Sequence, residues 1–205
     1  MNTKTSFKCI SHKCGETFDL NQIIYRCSRC DSLLEVSHNI NILKRRSSSS
    51  WMRLFDERYM KTSYPYGSGV WGKKEWVHPD IDIDNVVSLY EGGTNLFWAE
   101  RFGSDLGMSD LWIKQCGNSH TGSFKDLGMT VLISNVKQMI SAGVEIKAVI
   151  CASTGDTSAS LAAYCAAADI PTVVLLPKGH VSISQLIQPL SNGAITLAVN
   201  TDFDG

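Results

Sequence analysis

Two short stretches and four cysteines carry the residue types able to do chemistry. The first stretch is "GNSHTGSFKD", residues 117–126, which sets Lys125 just beyond a glycine-serine turn at the start of a predicted helix. A lysine there can grip a phosphate, carry a cofactor through its amine, or be an ordinary surface cation. Gly117 and Gly122 have the five-residue spacing of a phosphate-binding P-loop, but that motif needs its lysine directly after the second glycine. Ser123 and Phe124 intervene, so Lys125 falls on another face of the first turn and the P-loop reading fails. Residue types leave a plainer alternative, in which Thr121 or Ser123 caps a helix whose apolar side is Phe124, Leu127, Val131 and Leu132.

The second stretch is "CASTGDTSAS", residues 151–160, where an apolar strand runs into hydroxyls and a glycine and then into an alanine-rich helix. Amides at such a helix start, with Ser153, Thr154 and Thr157 nearby, can hold a carboxylate or a phosphate. The plain alternative is that Asp156 is an N-cap and nothing more. Both stretches lie at the carboxyl ends of predicted strands, where open α/β sheets bind ligands. One offers an amine and the other an anion cradle. That pairing suits a cofactor held as an imine, with an amino acid's carboxylate in the cradle.

Four of the seven cysteines crowd the first thirty residues, which favours a metal site in a reducing compartment over a disulfide framework. Cys9 and Cys14 are separated by four residues, Cys27 and Cys30 by two. Four thiolates in two pairs suit a closed tetrahedral zinc site of structural role, with His12 able to replace one thiol. The competing reading is free thiols in a small β-rich lobe. Cys116, Cys151 and Cys165 sit in apolar surroundings and read as core thiols.

The elements that must position these groups show as a change of rhythm. Residues 1–46 form the cysteine-rich lobe, and "KRRSSSS", residues 44–50, reads as a linker or exposed turn. Residues 47–84 are an aromatic arm in which Trp51, Phe55, Trp71 and Trp76 are expected to pack. From about residue 85 onward, the apolar runs "LWIKQ" (111–115), "KAVICA" (147–152), "TVVLLP" (172–177) and "AITLAV" (194–199) predict strands. Helical stretches near 124–142, 156–168 and 181–190 alternate with them, which predicts parallel β-α-β units covered on both faces. Thr201 or Asp202 reads as the cap of a further helix.

A hydrophobic fraction of 43% in 205 residues supports a globular core, and a net charge of -1 gives no field favouring nucleic acid or an acidic membrane. The first residues lack the apolar core of a signal peptide, and the apolar run before Asp169 is too short and alanine-rich to span a bilayer. The expectation is a soluble, cytoplasmic protein.

"HTGSFKD" together with "CASTGDTSAS" resembles the threonine synthase family. The longer stretches "LFWAERFG", "SFKDLGMTVL", "PYGSGVW" and "TDFDG" resemble its plant-type branch, over most of the chain from about Tyr25 to Gly205. Asn95 replaces the proline usual in the family's Gly-Thr-Pro-Leu segment, and Leu127 replaces an arginine often found after Lys-Asp. The resemblance implies an α/β, parallel-sheet pyridoxal-phosphate fold of the tryptophan synthase β type (fold type II), represented by its N-terminal portion behind a zinc-ribbon-like lobe. It implies that Lys125 carries pyridoxal 5'-phosphate and shuttles protons, that Phe124 lies beside the ring, and that Asp156 lies near the cofactor's 3'-oxygen. Ser153, Thr154, Gly155 and Thr157 would hold the substrate carboxylate. The implied reaction converts O-phosphohomoserine and water to threonine and phosphate, in a homodimer when complete, with S-adenosylmethionine as activator. The family's glycine-rich phosphate loop and its partner for the pyridine nitrogen come after the equivalent of Gly205, so the expectation is that this stretch alone is inactive. Two rivals are a serine or threonine dehydratase and a non-catalytic module whose cysteine lobe binds a partner protein.

Overall fold

A computed structural model of the chain describes residues 5–179 and 181–201. Asp202, one of the two cap candidates, and the rest of the "TDFDG" match after Thr201 lie outside the described residues. Strand β1 (Thr5–Cys9) lies between β2 (Thr17–Phe18) and β3 (Leu34–His38), antiparallel to both. Their register sets Cys9 opposite Leu34 and Thr5 opposite His38. With Leu33 and Val36 exposed, the sheet has little apolar core, and what β1 buries is Thr5 and the Cys9 thiol.

Helix α1 (Ile40–Leu43) follows, then α2 (Ser48–Arg58). The serine run is therefore a helix start and not a linker. Ser47 accepts a hydrogen bond from the Ser50 amide at 3.3 Å, satisfying a donor that the first turn leaves orphaned. On α2, Trp51 and Phe55 stack with centroids 5.6 Å apart, and Trp76 of α3 (Lys74–Val77) meets Phe55 edge-on at 5.0 Å. Arg58 grips Glu75 with two bonds of 2.7 and 2.9 Å, a fork that locks α2 to α3. Behind this cluster the "PYGSGVW" loop passes so close to the next segment that a Cβ on Gly69 would lie 2.0 Å from the Gly93 nitrogen.

Strand β4 (Leu96–Trp98), helix α4 (Glu100–Asp105) and β5 (Trp112–Lys114) come next. Here the expectation of parallel pairing is corrected: β5 runs antiparallel to β4 in a separate two-stranded sheet, with Phe97 opposite Ile113. Residues 99–111 link the two strands and hold one short helix, α4, over which the chain reverses instead of crossing over.

The parallel part follows as predicted. Helix α5 (Asp126–Ser141) leads to β6 (Val149–Ala152), α6 (Asp156–Ala167), β7 (Thr172–Pro177), α7 (Ile183–Ser191) and β8 (Ile195–Val199), with strand order β6-β7-β8. The small side chains of α6 let it pack against β6, β7, α5 and α7 at once. One core cluster joins Ile133 and Val136 of α5 to Leu161, Tyr164 and Cys165 of α6. A second joins Ala162 to Val174 and Leu176 of β7.

The buried side of α5 differs from the apolar reading. Phe124 and Leu132 are exposed, and the inward stripe includes Asp126, Thr130 and Ser134. These polar residues recur every four positions and sew the helix to its neighbours. Thr130 Oγ1 donates to the Val87 carbonyl at 2.7 Å and accepts the Trp71 indole N–H at 2.7 Å, and Ser134 Oγ accepts the Val87 amide at 2.8 Å. Trp71 is thereby wholly buried with its one donor satisfied. No helix among the described residues is long and apolar enough to cross a membrane.

Candidate active site

The loop between β5 and α5 turns at Gly122, whose φ of +83° favours glycine. Ser123 is buried there, and its hydroxyl has two tasks. It accepts the Lys125 amide at 3.2 Å and donates to Asp156 Oδ2 at 2.9 Å. The two stretches singled out in the sequence therefore meet, 33 residues apart along the chain.

A second contact fixes the same junction. Asp126, the residue after the lysine, is fully buried and sits at the first position of α5. Its Oδ1 accepts from Thr121 Oγ1 and from Ser160 Oγ of α6, each at 2.6 Å. Its Oδ2 accepts from Ser119 Oγ at 2.8 Å and from the Thr121 amide at 2.9 Å. Burial alone would push this carboxyl up, but the bonds from Ser160, Thr121 and Ser119 outweigh it and hold the carboxyl below the usual carboxylate range. The loop is also reached from α7, where Gln188 Nε2 donates to the Thr121 carbonyl at 3.2 Å.

Held by that frame, Lys125 is half-buried and its Nζ lies 4.5 Å from the centroid of the Phe124 ring. Among the described residues no oxygen accepts from this amine. The two other lysines nearby in sequence are engaged, Lys114 with the Thr94 carbonyl and Lys137 with the Asp84 carbonyl at 3.0 Å. Lys125 is the residue flanking α5, and neither Thr121 nor Ser123 caps that helix as the sequence had led us to expect.

On the facing side, β6 ends at Ala152 and the chain turns into α6. Ser153 Oγ accepts the Gly155 amide at 3.3 Å, Ser158 Oγ donates to the Gly155 carbonyl at 2.7 Å, and Thr154 and Thr157 are half-buried. Gly155 is the N-cap, which removes the plain alternative of Asp156 as cap: Asp156 is the exposed first residue of the helix, turned to Ser123. Among the described residues the amides of Asp156 and Thr157, in the first turn of α6, have no acceptor and remain available to an anion.

The sequence reading missed Asp126 and Ser160, and also Glu91. Glu91 is buried and accepts from Tyr164 Oη at 2.6 Å, Ser68 Oγ at 2.5 Å and Ser88 Oγ at 2.9 Å. Burial and the Glu91 charge push the Tyr164 phenol well up, so it stays a donor. The available signal was polar side chains at helical spacing among apolar ones, 126-130-134 on α5 and 160-164 on α6.

At the other end of the molecule the four N-terminal thiols converge. The Sγ atoms of Cys9, Cys14, Cys27 and Cys30 all lie within 4.8 Å of one another, with Cys9–Cys30 at 3.5 Å and Cys14–Cys27 at 3.7 Å. Sulfurs about 2.3 Å from a tetrahedral ion would stand about 3.8 Å apart, so the spacing fits such an ion and is far too long for disulfides. His12 is not among the four. Cys165 is buried, whereas Cys151 is half-buried and Cys116 lies half-buried in the turn after β5, outside an apolar element.

Comparison with known proteins gives the family of the chain. The chain is 56% identical over 191 residues to the chloroplastic threonine synthase 2 of Arabidopsis thaliana, covering 93% of this chain and 37% of that protein. It is 40% identical over 197 residues to the threonine synthase of Methanocaldococcus jannaschii, covering 96% and 44%. Among solved structures, maize serine racemase overlaps 61% of this chain and 38% of its own, at 19% identity and a TM-score of 0.49. The chain thus spans less than half the length of these curated relatives. Residues 87–205, well over half of the chain, match one family throughout. The chain belongs to the pyridoxal-phosphate dependent enzyme family.

Proposed function

We propose that this chain is the lysine-bearing, N-terminal portion of a threonine synthase, which converts O-phosphohomoserine and water to threonine and phosphate. The observation that carries the reading is the Ser123–Asp156 bond, which sets the turn bearing a free amine against the opening of α6. The residues fit the cofactor. A primary amine without an oxygen partner, an aromatic ring beside it and a helix start with open amides are the groups that an aldehyde-bearing phosphorylated pyridine needs. When bound, pyridoxal phosphate supplies an electron sink that makes protons beside the substrate nitrogen removable.

In this reading Lys125 Nζ attaches the cofactor and, when released, moves the proton at the substrate Cα. The hydroxyls of Ser153, Thr154 and Thr157 and the backbone at Gly155 hold the substrate carboxylate. Phe124 would flank the cofactor ring, and Asp156, which accepts from Ser123, would be the residue near the 3'-oxygen. Asp126 positions the lysine by tying its loop to Ser160. The thiols of Cys9, Cys14, Cys27 and Cys30 hold a structural zinc in a zinc-ribbon-like lobe, with no position left open for chemistry. A lobe over 1–46, an arm over 47–84 and a catalytic region from 85 onward, a cytoplasmic setting, a homodimeric full-length enzyme and activation by S-adenosylmethionine complete the proposal, on the plant-type resemblance.

The test is spectroscopic. Adding pyridoxal phosphate to the chain should give a visible imine absorbance that borohydride removes, and Lys125→Ala should abolish it. An unchanged spectrum in that variant overturns the assignment.

A further inference from the structure

A cleft of about 460 Å³ opens where the end of α2 meets the loops at 59–69 and 90–95. That volume suits a small molecule. None of its lining residues belongs to the stretches around Lys125 and Asp156. Its walls stand close because glycines let backbone pass against backbone. A Cβ on Gly67 would lie 1.8 Å from the Lys61 carbonyl oxygen, and one on Gly92 would lie 2.9 Å from the Gly69 Cα. Tyr90 closes one side at φ +59°, a left-handed backbone that a bulky residue seldom adopts, and its Oη donates to the Thr62 carbonyl at 3.2 Å.

Charge gives the cleft its chemistry. Arg58, Lys61 and Lys73 line it, and no carboxylate does. The Arg58 guanidinium is already committed, to Glu75 and to the face of Tyr66 at 4.3 Å. Lys61 and Lys73 are exposed and have no acidic partner among the described residues. Lys73 Nζ reaches only the Gly69 carbonyl, at 3.2 Å. The buried Glu91 side chain does not offset them, because Ser68 and Tyr164 already donate to it. Among the described residues the amides of Gly67, Gly92 and Gly93 have no acceptor, and the last two follow one another at φ +82° and +63°. Successive amides in such turns form concavities that bind anions.

We propose that this cleft binds a phosphomonoester, with its phosphate on Lys61, Lys73 and the glycine amides and its carbon skeleton against the rings of Tyr66 and Tyr90. Two ammonium groups and several amides offer more donors than one carboxylate can accept, whereas the oxygens of a phosphate take them all. The site is separate from the lysine turn and holds whatever reaction Lys125 performs.

Titration calorimetry of the chain with inorganic phosphate and with phenyl phosphate gives the affinities, and amide chemical shifts locate the probe. Phenyl phosphate should bind about tenfold more tightly than inorganic phosphate, since only the ester meets the aromatic walls. Shifts should appear in 66–69 and 90–93, and equally in Lys125→Ala, which separates this site from the proposed cofactor site. Lys61→Gln with Lys73→Gln should weaken binding by at least about tenfold, and Lys147→Gln should leave it unchanged. Both cleft lysines are exposed, so the double variant keeps the fold. The proposal is overturned if neither probe shifts those loops, if shifts are confined to 153–158, or if the double variant binds as tightly as the unsubstituted chain. Equal affinity for the two probes would also overturn it, because the site would then read a free anion and not an ester.

Discussion

The thiol-bearing sheet and the α/β region hold their shape by different means. In residues 5–46, which hold β1, β2 and β3, the only buried apolar side chains are Cys9 and Cys27. Transfer of so little apolar surface from water cannot offset the entropy of ordering more than thirty residues. Four convergent sulfurs take the place of a core. In the α/β region, Ile133, Leu161, Tyr164 and Val174 are wholly or almost wholly buried, and the buried Asp126 accepts from Ser160 and Thr121 beside them. The first region gathers its thiols within 4.8 Å of one another, while the second is ordered by burial and holds the loop before Lys125 through the buried Asp126. Asn135 of α5 joins the two, its Oδ1 accepting from His78 Nε2 (3.0 Å) and its Nδ2 donating to the Leu20 carbonyl (3.2 Å).

The largest expected effect breaks one region and spares the other. The purified chain should hold close to one equivalent of zinc under reducing conditions without chelator, and Cys27→Ser with Cys30→Ser should abolish it. Structural zinc contributes on the order of 10 kcal/mol of folding free energy. Amide exchange in residues 5–38 should therefore rise to that of an unfolded chain, while α5 and α6 keep their protection. Loss of protection in both regions would show that the α/β core depends on the lobe.

A smaller effect is expected at Asp126. Asp126→Ala leaves buried hydroxyls of Ser160 and Thr121 without their acceptor and should cost about 3 kcal/mol of stability, read as a lower urea midpoint for the α/β region. The pH dependence has a definite sign. The folded carboxyl lies below its unfolded value of about 3.9, so its contribution is complete above that pH and is lost as pH falls through the depressed folded value. Asp126→Asn should flatten the acid limb of the stability curve below about pH 4.

The smallest effect tests the joint. Asn135→Ala should cost about 1 kcal/mol and speed exchange near Leu20 without changing zinc content or the exchange of α6. A fall in zinc content would mean that the joint organises the thiols as well as anchoring them.

Strand β7 was legible to the residue because "TVVLLP" is a continuous apolar run rich in β-branched residues. The direction of β5 was not, since three exposed residues pair according to a partner that the run itself does not encode. The inward face of α5 was hidden because its contacts are hydroxyls and a carboxylate, which hydrophobic periodicity counts as surface. Spacing and chemistry singled out Lys125 and the four cysteines, whose sulfurs the fold brings together, while the role given to Asp156 came from the family resemblance. Asp126 was overlooked although adjacent to the lysine, because its partners Ser119, Thr121 and Ser160 come together only in the fold.

The central claim is that Lys125, freed of oxygen partners by a frame built on Asp126 and Ser123, is the amine that takes pyridoxal phosphate. Borohydride reduction of the loaded chain followed by peptide mapping tests it most directly. The account predicts the phosphopyridoxyl label within the peptide containing "SFKD", on Lys125. A label instead on Lys114 or Lys137, whose amines the fold already engages with carbonyl oxygens, would contradict it.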